Sequence, residues 1–287
     1  MSRIAVVTDS TADIDSELSK QKHIFVVPLN VHFADAVYKD GVELSTDAFF
    51  AKLLDSTTPP RTSQPSPGDF YELYKSLLGE GYTGIISIHI SRELSGTWQS
   101  AVIARDMLAE ADIHVVDTKS ASMGTGLIVL NAVEKIRAGA SLEEAAAYAR
   151  GLIGQQKVLF GVATLEYLHR NGRIGRAAKL LGGFLHVKPV LHLDADGFVA
   201  PLAKVRGSNK FVPYLVAAAA EFVRGYSGDV DLAVVHAQDS QLAGELLSRT
   251  REIISIRNFY VTDIGSVIGT HTGPGTIGIV LQKTDLP

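Results

Sequence analysis

Ser91, Ser95, Gly96 and Thr97 stand together in ISRELSGTWQSA (90–101), and His271 stands between two threonines in IGTHTGPG (268–275). A serine hydroxyl, an imidazole and a carboxylate are the parts of a nucleophilic site, and such triads are recognised in space rather than by chain order. Ser95 as nucleophile, His271 as base and Asp9, Asp117 or Asp263 as orienter would make a serine hydrolase. The local pattern argues against it. A nucleophile elbow needs Gly-x-Ser-x-Gly, whereas Ser95 is flanked at those positions by Glu93 and Thr97. Leu94, Trp98, Ala101 and Val102 follow helical spacing instead, which puts Ser95 where a helix N-cap belongs. A cap beside unpaired helix N–H groups is also part of an anion site.

The other polar clusters divide in the same way between chemistry and architecture. His271 lies in a glycine-dense turn, where backbone approaches a ligand closely, so it is a carboxylate or phosphate partner if it is not a satisfied structural histidine. In RTSQPSPGDF (61–70), Ser66, Pro67 and Asp69 make a helix start, while Thr62 and Ser63 lie beyond capping reach and need another partner. Asp9, Asp13 and Asp15 in VTDSTADID (7–15) suggest a hard-metal site, but no second cluster supplies the remaining oxygens, and a turn with a helix cap accounts for them. The glycines from Gly273 to Gly278 match a dinucleotide pattern, yet they run into a strand rather than a helix. Arg173, Arg176 and Lys179, at a spacing of three, would form one basic face if a helix follows the Asn171-Gly172 turn.

These residues hang on an α/β pattern of short apolar runs alternating with helical segments. Strands are expected at 4–7, 24–31, 84–90 and 113–117, and helices at 70–78, 98–108, 126–137 and 141–153, the last opened by a Ser141–Glu144 capping box. Beyond 157 the runs at 187–205 surround Asp194-Ala195-Asp196-Gly197, a hairpin signal, so the second half is expected to be a mixed sheet. Helices are expected at 211–225 and 241–254, with strands at 158–163, 232–237, 259–264 and 275–283. At 287 residues the chain divides into two α/β domains, 1–157 with a mostly parallel sheet and 158–287 with the mixed one. A net charge of −4 without a cationic block excludes a general nucleic-acid binder, and Cys 0 excludes thiolate metal sites and a cysteine nucleophile. The start MSRIAVVTDS enters a strand directly and no apolar run is long enough to span a membrane, so we expect neither secretory leader nor span, and a cytoplasmic chain.

VTDSTAD, TSQPSPGDF, ISRELSGTWQSA, VVDTKSASMGTG, LEYLHRNGRIG, VKPVL and GTHTGPG, in this order, resemble the bacterial DegV family of fatty-acid-binding proteins over nearly the whole chain. The resemblance implies a carrier rather than an enzyme. It holds one long-chain fatty acid, such as palmitate, stearate or oleate, between two α/β domains, and has no cofactor and no metal. By motif, Thr62, Ser95 and His271 would contact the carboxylate, with Ser63, Gly96, Thr97 and Arg173 in the headgroup region. Arg206 is similar to a residue used for partner or acyl-phosphate contact. A fatty acid kinase and transient contact with a membrane surface are the further partners implied. Burying a long tail gains about 0.8 kcal/mol per CH₂, on the order of 10 kcal/mol in all before binding entropy, so the tail supplies affinity and the headgroup orientation.

Overall fold

The structure is a computed structural model that describes residues 3–181 and 187–286; residues 1, 2 and 287, at the ends of the two expected domains, lie outside them. The first half opens with β1 (Ile4–Asp9), a 3-10 turn (Ser10–Ala12), α1 (Ser16–Lys22), β2 (Ile24–Val27), β3 (Asn30–His32) and β4 (Val37–Lys39). It continues through α2 (Thr46–Asp55), β5 (Arg61–Ser63), α3 (Pro67–Gly79), β6 (Gly84–His89), α4 (Thr97–Asp106), β7 (Ile113–Asp117), α5 (Met123–Arg137) and α6 (Leu142–Leu152). The second half holds β8 (Gln156–Gly161), α7 (Glu166–Arg170), β9 (Val187–Leu193), β10 (Val199–Arg206) and α8 (Phe211–Val223). It ends with β11 (Val230–His236), α9 (Ser240–Arg251), β12 (Asn258–Asp263), α10 (Ser266–Thr272) and β13 (Ile277–Lys283).

Three sheets result. The first, in the order β2-β1-β6-β7, is wholly parallel, and the second, β10-β9-β8-β13-β11-β12, is mixed and contains the expected antiparallel hairpin β9–β10. Alternation in β1 distributes its side chains to both faces: Ala5 and Val7 pack with Phe70, Tyr74 and Leu77 of α3, while Val6 packs with α5 and α6. Val234 and Ile279 of the mixed sheet pack with α8 and α9, whereas Ala233, Val235 and Val280 turn toward α5. Helix α5 is therefore enclosed between the two sheets, which is why every residue from Met123 to Val133 is buried.

The run 24–31 is not one strand. Pro28 cannot donate to a ladder, and the chain leaves the parallel sheet there; Asn30–His32 pairs instead with β4 and β5 in a third, antiparallel sheet of order β4-β3-β5. That small sheet, α1 and α2 carry too few periodic residues to stand out in the sequence. The expected three-residue basic face is incomplete, because Arg173 precedes the 3-10 segment Gly175–Leu180 and turns inward. Arg176 and Lys179 are both exposed, and Arg176 is engaged by Asp194 and Asp196.

A half-buried ion pair fixes α5 to the mixed sheet. Arg257 Nε and Nη2 lie 2.9 and 2.6 Å from the two carboxylate oxygens of Asp231, whose side chain is 2 % exposed, and Asn131 of α5 donates to the same carboxylate at 2.8 Å. Removing the arginine leaves the buried carboxylate to its asparagine donors. Arg257→Ala should lower the free energy of urea unfolding by about 1–3 kcal/mol, while breaking the exposed Lys20–Glu17 pair should leave the unfolding midpoint unchanged.

Candidate functional site

Between the two sheets lies an apolar cavity. The mixed sheet contributes Val158, Phe160, Val235 and Val280; the first half contributes Ile90, Leu94 and Ala121; α10 contributes Val267 and Ile268. The space between these atoms, mouth included, is about 800 Å³. Its largely apolar lining suits a hydrocarbon chain rather than a compact polar ligand. Gly278 permits this wall: a Cβ there would stand 3.0 Å from Val235 Cγ2 and 3.1 Å from the Leu159 carbonyl.

One end of the cavity is polar. His271, in the last turn of α10, lines it, and its Nε2 lies 2.8 Å from Thr62 Oγ1 on β5. Its Nδ1 is buried with no hydrogen-bond partner. If Nδ1 carries the proton, a buried donor is left without an acceptor; if Nε2 carries it and donates to Thr62, the Thr62 hydroxyl hydrogen is released for another partner. In either tautomer the pair has one donor to give. Burial, and then the positive charge of Arg173, push the imidazole pKa down to about 3, so His271 is neutral at physiological pH. Arg173 also lines the cavity; its Nε donates to the Leu94 carbonyl at 3.1 Å and its Nη1 to the Asn171 carbonyl at 2.8 Å.

The structure thus joins Thr62, His271 and Arg173 into one polar end, with the LSGT loop beside it. Ser95 is not the N-cap of α4. Gly96 holds that position, and Ser95 Oγ lies one residue earlier, 2.8 Å from Thr97 Oγ1 and 3.4 Å from the Thr97 amide. Gly96 faces the Gln64 side chain, where a Cβ would stand 2.8 Å from Gln64 Nε2, so this loop and the strand carrying Thr62 come together. Ser63, on the opposite face of β5 from Thr62, hydrogen-bonds His32 Nε2 at 2.8 Å. Ser66 caps α3 in a reciprocal box with Asp69. Arg206 is exposed at the end of β10, a strand at the edge of the mixed sheet. His271 itself lies on a short helix and not in a turn, because four glycines around it interrupt the pattern by which a helix is read.

No hydrogen bond links Ser95 to His271, and each is engaged elsewhere. A serine–histidine–aspartate line does exist, at Ser87, His89 and Asp9, with separations of 2.6 and 2.8 Å. All three are 0 % exposed and Tyr74 donates to Ser87, so that line is a polar tie between β1, β6 and α3 and no substrate reaches it. Asp117 accepts from the amides of Arg92 and Lys119, and Asp263 lies 3.2 Å from His236. Asp9, Asp13 and Asp15 diverge: Asp15 caps α1, and Asp13 accepts from Ser122 and from the Gly265 amide. Among the described residues no three such side chains converge as metal ligands.

Sequence reasoning missed Ser122, which lines the cavity, and Asp40, and it weighed Asp13 only as a metal ligand or turn residue. Asp13 and Ser122 share a positive φ, 51° and 52°, which is not visible in residue type.

Comparison with known proteins points to one family. The DegV family profile, described as that of an uncharacterised protein family, matches residues 3–284. A DegV domain-containing protein of Streptomyces coelicolor is 39 % identical over 99 % of this chain and 100 % of its own length. The fatty-acid-binding DegV family protein of Thermus thermophilus superposes with a TM-score of 0.92 at 37 % identity, covering 98 % of this chain and 99 % of that one. A stearic-acid-binding protein of Eubacterium ventriosum gives 0.89 at 27 % identity, covering 99 % of each chain.

The depressed pKa of His271 has a stability consequence whose sign is fixed. The unfolded chain takes up this proton near pH 6.5, whereas the folded chain resists it to about 3, so His271 contributes stability that is complete above 6.5 and is lost as pH falls through that window. His271→Gln should remove this part of the acid sensitivity. Urea midpoints at pH 7.5 and pH 5 should show wild type losing more than the variant.

Proposed function

The chain belongs to the DegV family, and from that premise we propose that it binds one long-chain fatty acid, with the tail in the cavity between the sheets and the carboxylate at the end formed by Thr62, Ser95 and His271. The observation that carries this is the junction of an apolar void with a neutral, incompletely bonded imidazole. A carboxylate taken from water needs donors. The Thr62–His271 pair, the Ser95 hydroxyl and the amides at Gly96 and Thr97 are suitable ones, and Arg173 adds a positive charge close by.

In this reading the protein is a cytoplasmic carrier of two domains meeting near 157–158, and it leaves the acid chemically unchanged. Its headgroup end, built from loops and short elements, is where a fatty acid kinase would meet the carboxylate. Arg206 offers an exposed cation for such a partner or for transient contact with an anionic membrane. Among the described residues no helix is long and apolar enough to cross a membrane, so contact with lipid would be at the surface.

Denaturing the purified protein and extracting it with organic solvent should release long-chain fatty acid at near one per chain. Lipid-free protein that takes up neither palmitate nor oleate would overturn the reading. The double variant Thr62→Ala, Ser95→Ala should bind at least about tenfold more weakly with little change in melting temperature, each lost charge-assisted hydrogen bond being about 1.5–3 kcal/mol. Unchanged affinity would remove these residues from the headgroup site, and a phosphonate probe that labels Ser95 would replace the carrier with a hydrolase.

A further inference from the structure

The motif VTDSTAD at the end of β1 has no part in the site described above, yet its second aspartate reaches the helix that carries His271. Asp13 is 8 % exposed. One carboxylate oxygen accepts the Gly265 amide at 3.1 Å, the other accepts the hydroxyl of the cavity-lining Ser122, and its main-chain carbonyl accepts Thr262 Oγ1 at 3.1 Å. Asp40, 5 % exposed and just beyond β4, accepts the next amide, that of Ser266, at 3.2 Å. Two carboxylates from separate parts of the chain thus occupy consecutive amides at the start of α10, where helix N–H groups have no partners of their own. A negative charge there also complements the helix dipole.

The rest of α10 is short and tightly seated. A Cβ on Gly269 would stand 2.8 Å from Phe49 and 3.0 Å from Phe50, so the helix already lies against α2. Four residues separate Ser266 from His271, and two of them, Val267 and Ile268, line the cavity. Where α10 begins therefore decides where the imidazole and that stretch of wall lie.

We infer that Asp13 and Asp40 are positioning residues for His271: their carboxylates fix the start of α10, and with it the headgroup end of the cavity, at a cost in fold stability. The cost follows from their surroundings. Neither has an ion-pair partner among the described residues, and the groups sharing their cleft are Asp15, Asp263 and Lys20, the last of which pairs with Glu17. Burial first, and then each other's charge or that of Asp9, raise both pKa values. A carboxylate raised in the folded state stabilises the fold below its ordinary value, and that contribution is lost as pH rises through the folded value. When ionised, they oppose folding while serving as the stronger acceptors for α10.

This inference rests on the fatty-acid reading for its ligand, and its test separates the two. Asp13→Asn and Asp40→Asn keep shape and acceptor oxygen but remove charge. At pH 8 each lipid-free variant should melt at or above the wild-type temperature, yet bind palmitate about tenfold more weakly, as expected when a charged acceptor becomes a neutral one. The ring-nitrogen NMR signals of His271 in the ligand-free protein should shift. Equal palmitate affinity overturns the inference, and so does an affinity loss matched by a fall in melting temperature, which is what general loosening gives. If the wild type takes up no palmitate, the fatty-acid reading fails by itself, and unchanged His271 signals in both variants would still overturn the positioning role.

Discussion

The hydrogen bond between Thr62 and His271 joins residues 209 positions apart, and much of the structure is arranged around making it possible. Thr62 sits on a strand of three residues that has no strength alone and is held by pairing Val31 to Thr62 across β3. Val31 is 0 % exposed and anchors that strand in the main core with Phe49 and Phe50. The same two rings receive Gly269 of α10. One aromatic cluster therefore supports both sides of the bond, so the distance between hydroxyl and imidazole depends on core packing more than on either residue.

Much of this was legible in the sequence, for identifiable reasons. The strands of the parallel sheet announce themselves as apolar runs because both their faces are covered, and the hairpin at Asp194–Gly197 because its turn chemistry is specific. The capping boxes at Ser66 and Ser141 are local hydrogen-bond patterns, readable from four residues. What was not legible depends on distant partners. The three-stranded sheet has strands of three residues, too short for periodicity to show, and the run through Pro28 reads as continuous until the two sheets are seen to diverge. Ser95 and Gly96 differ by one residue as caps, a distinction set by backbone angles. Thr62 and Ser63 stood out because no cap nearby could satisfy them, and His271 because of the glycines around it; Thr62 and His271 meet, while Ser63 bonds His32. Asp13 stood out only as one of three aspartates and Asp40 not at all, since an aspartate near a turn needs no explanation until its oxygens are found on another helix.

Two kinds of buried titratable group meet on α10, and they respond to acid in opposite senses. His271, neutral because burial and Arg173 oppose its proton, loses its contribution as pH falls. Asp13 and Asp40, strained by their charge, lose theirs as pH rises. They sit at the two ends of one seven-residue helix, so acid forces charge onto the imidazole near its carboxyl end and base forces charge onto the buried carboxylates at its amino end.

Arg173 shows why such a site can both hold and release an anion. Its guanidinium is anchored by the carbonyls of Leu94 and Asn171, so the positive charge is fixed near His271 while two of its donors are already engaged. A two-point contact with a carboxylate through Nε would compete with those anchors, while three of the five N–H groups stay available. In the proposed reading the headgroup takes charge-assisted hydrogen bonds, each worth about 1.5–3 kcal/mol. Those few bonds orient the ligand, and a buried tail adds roughly 0.8 kcal/mol per methylene, on the order of 10 kcal/mol in all. In the proposed reading, affinity belongs to the apolar cavity and orientation to the polar residues beside it.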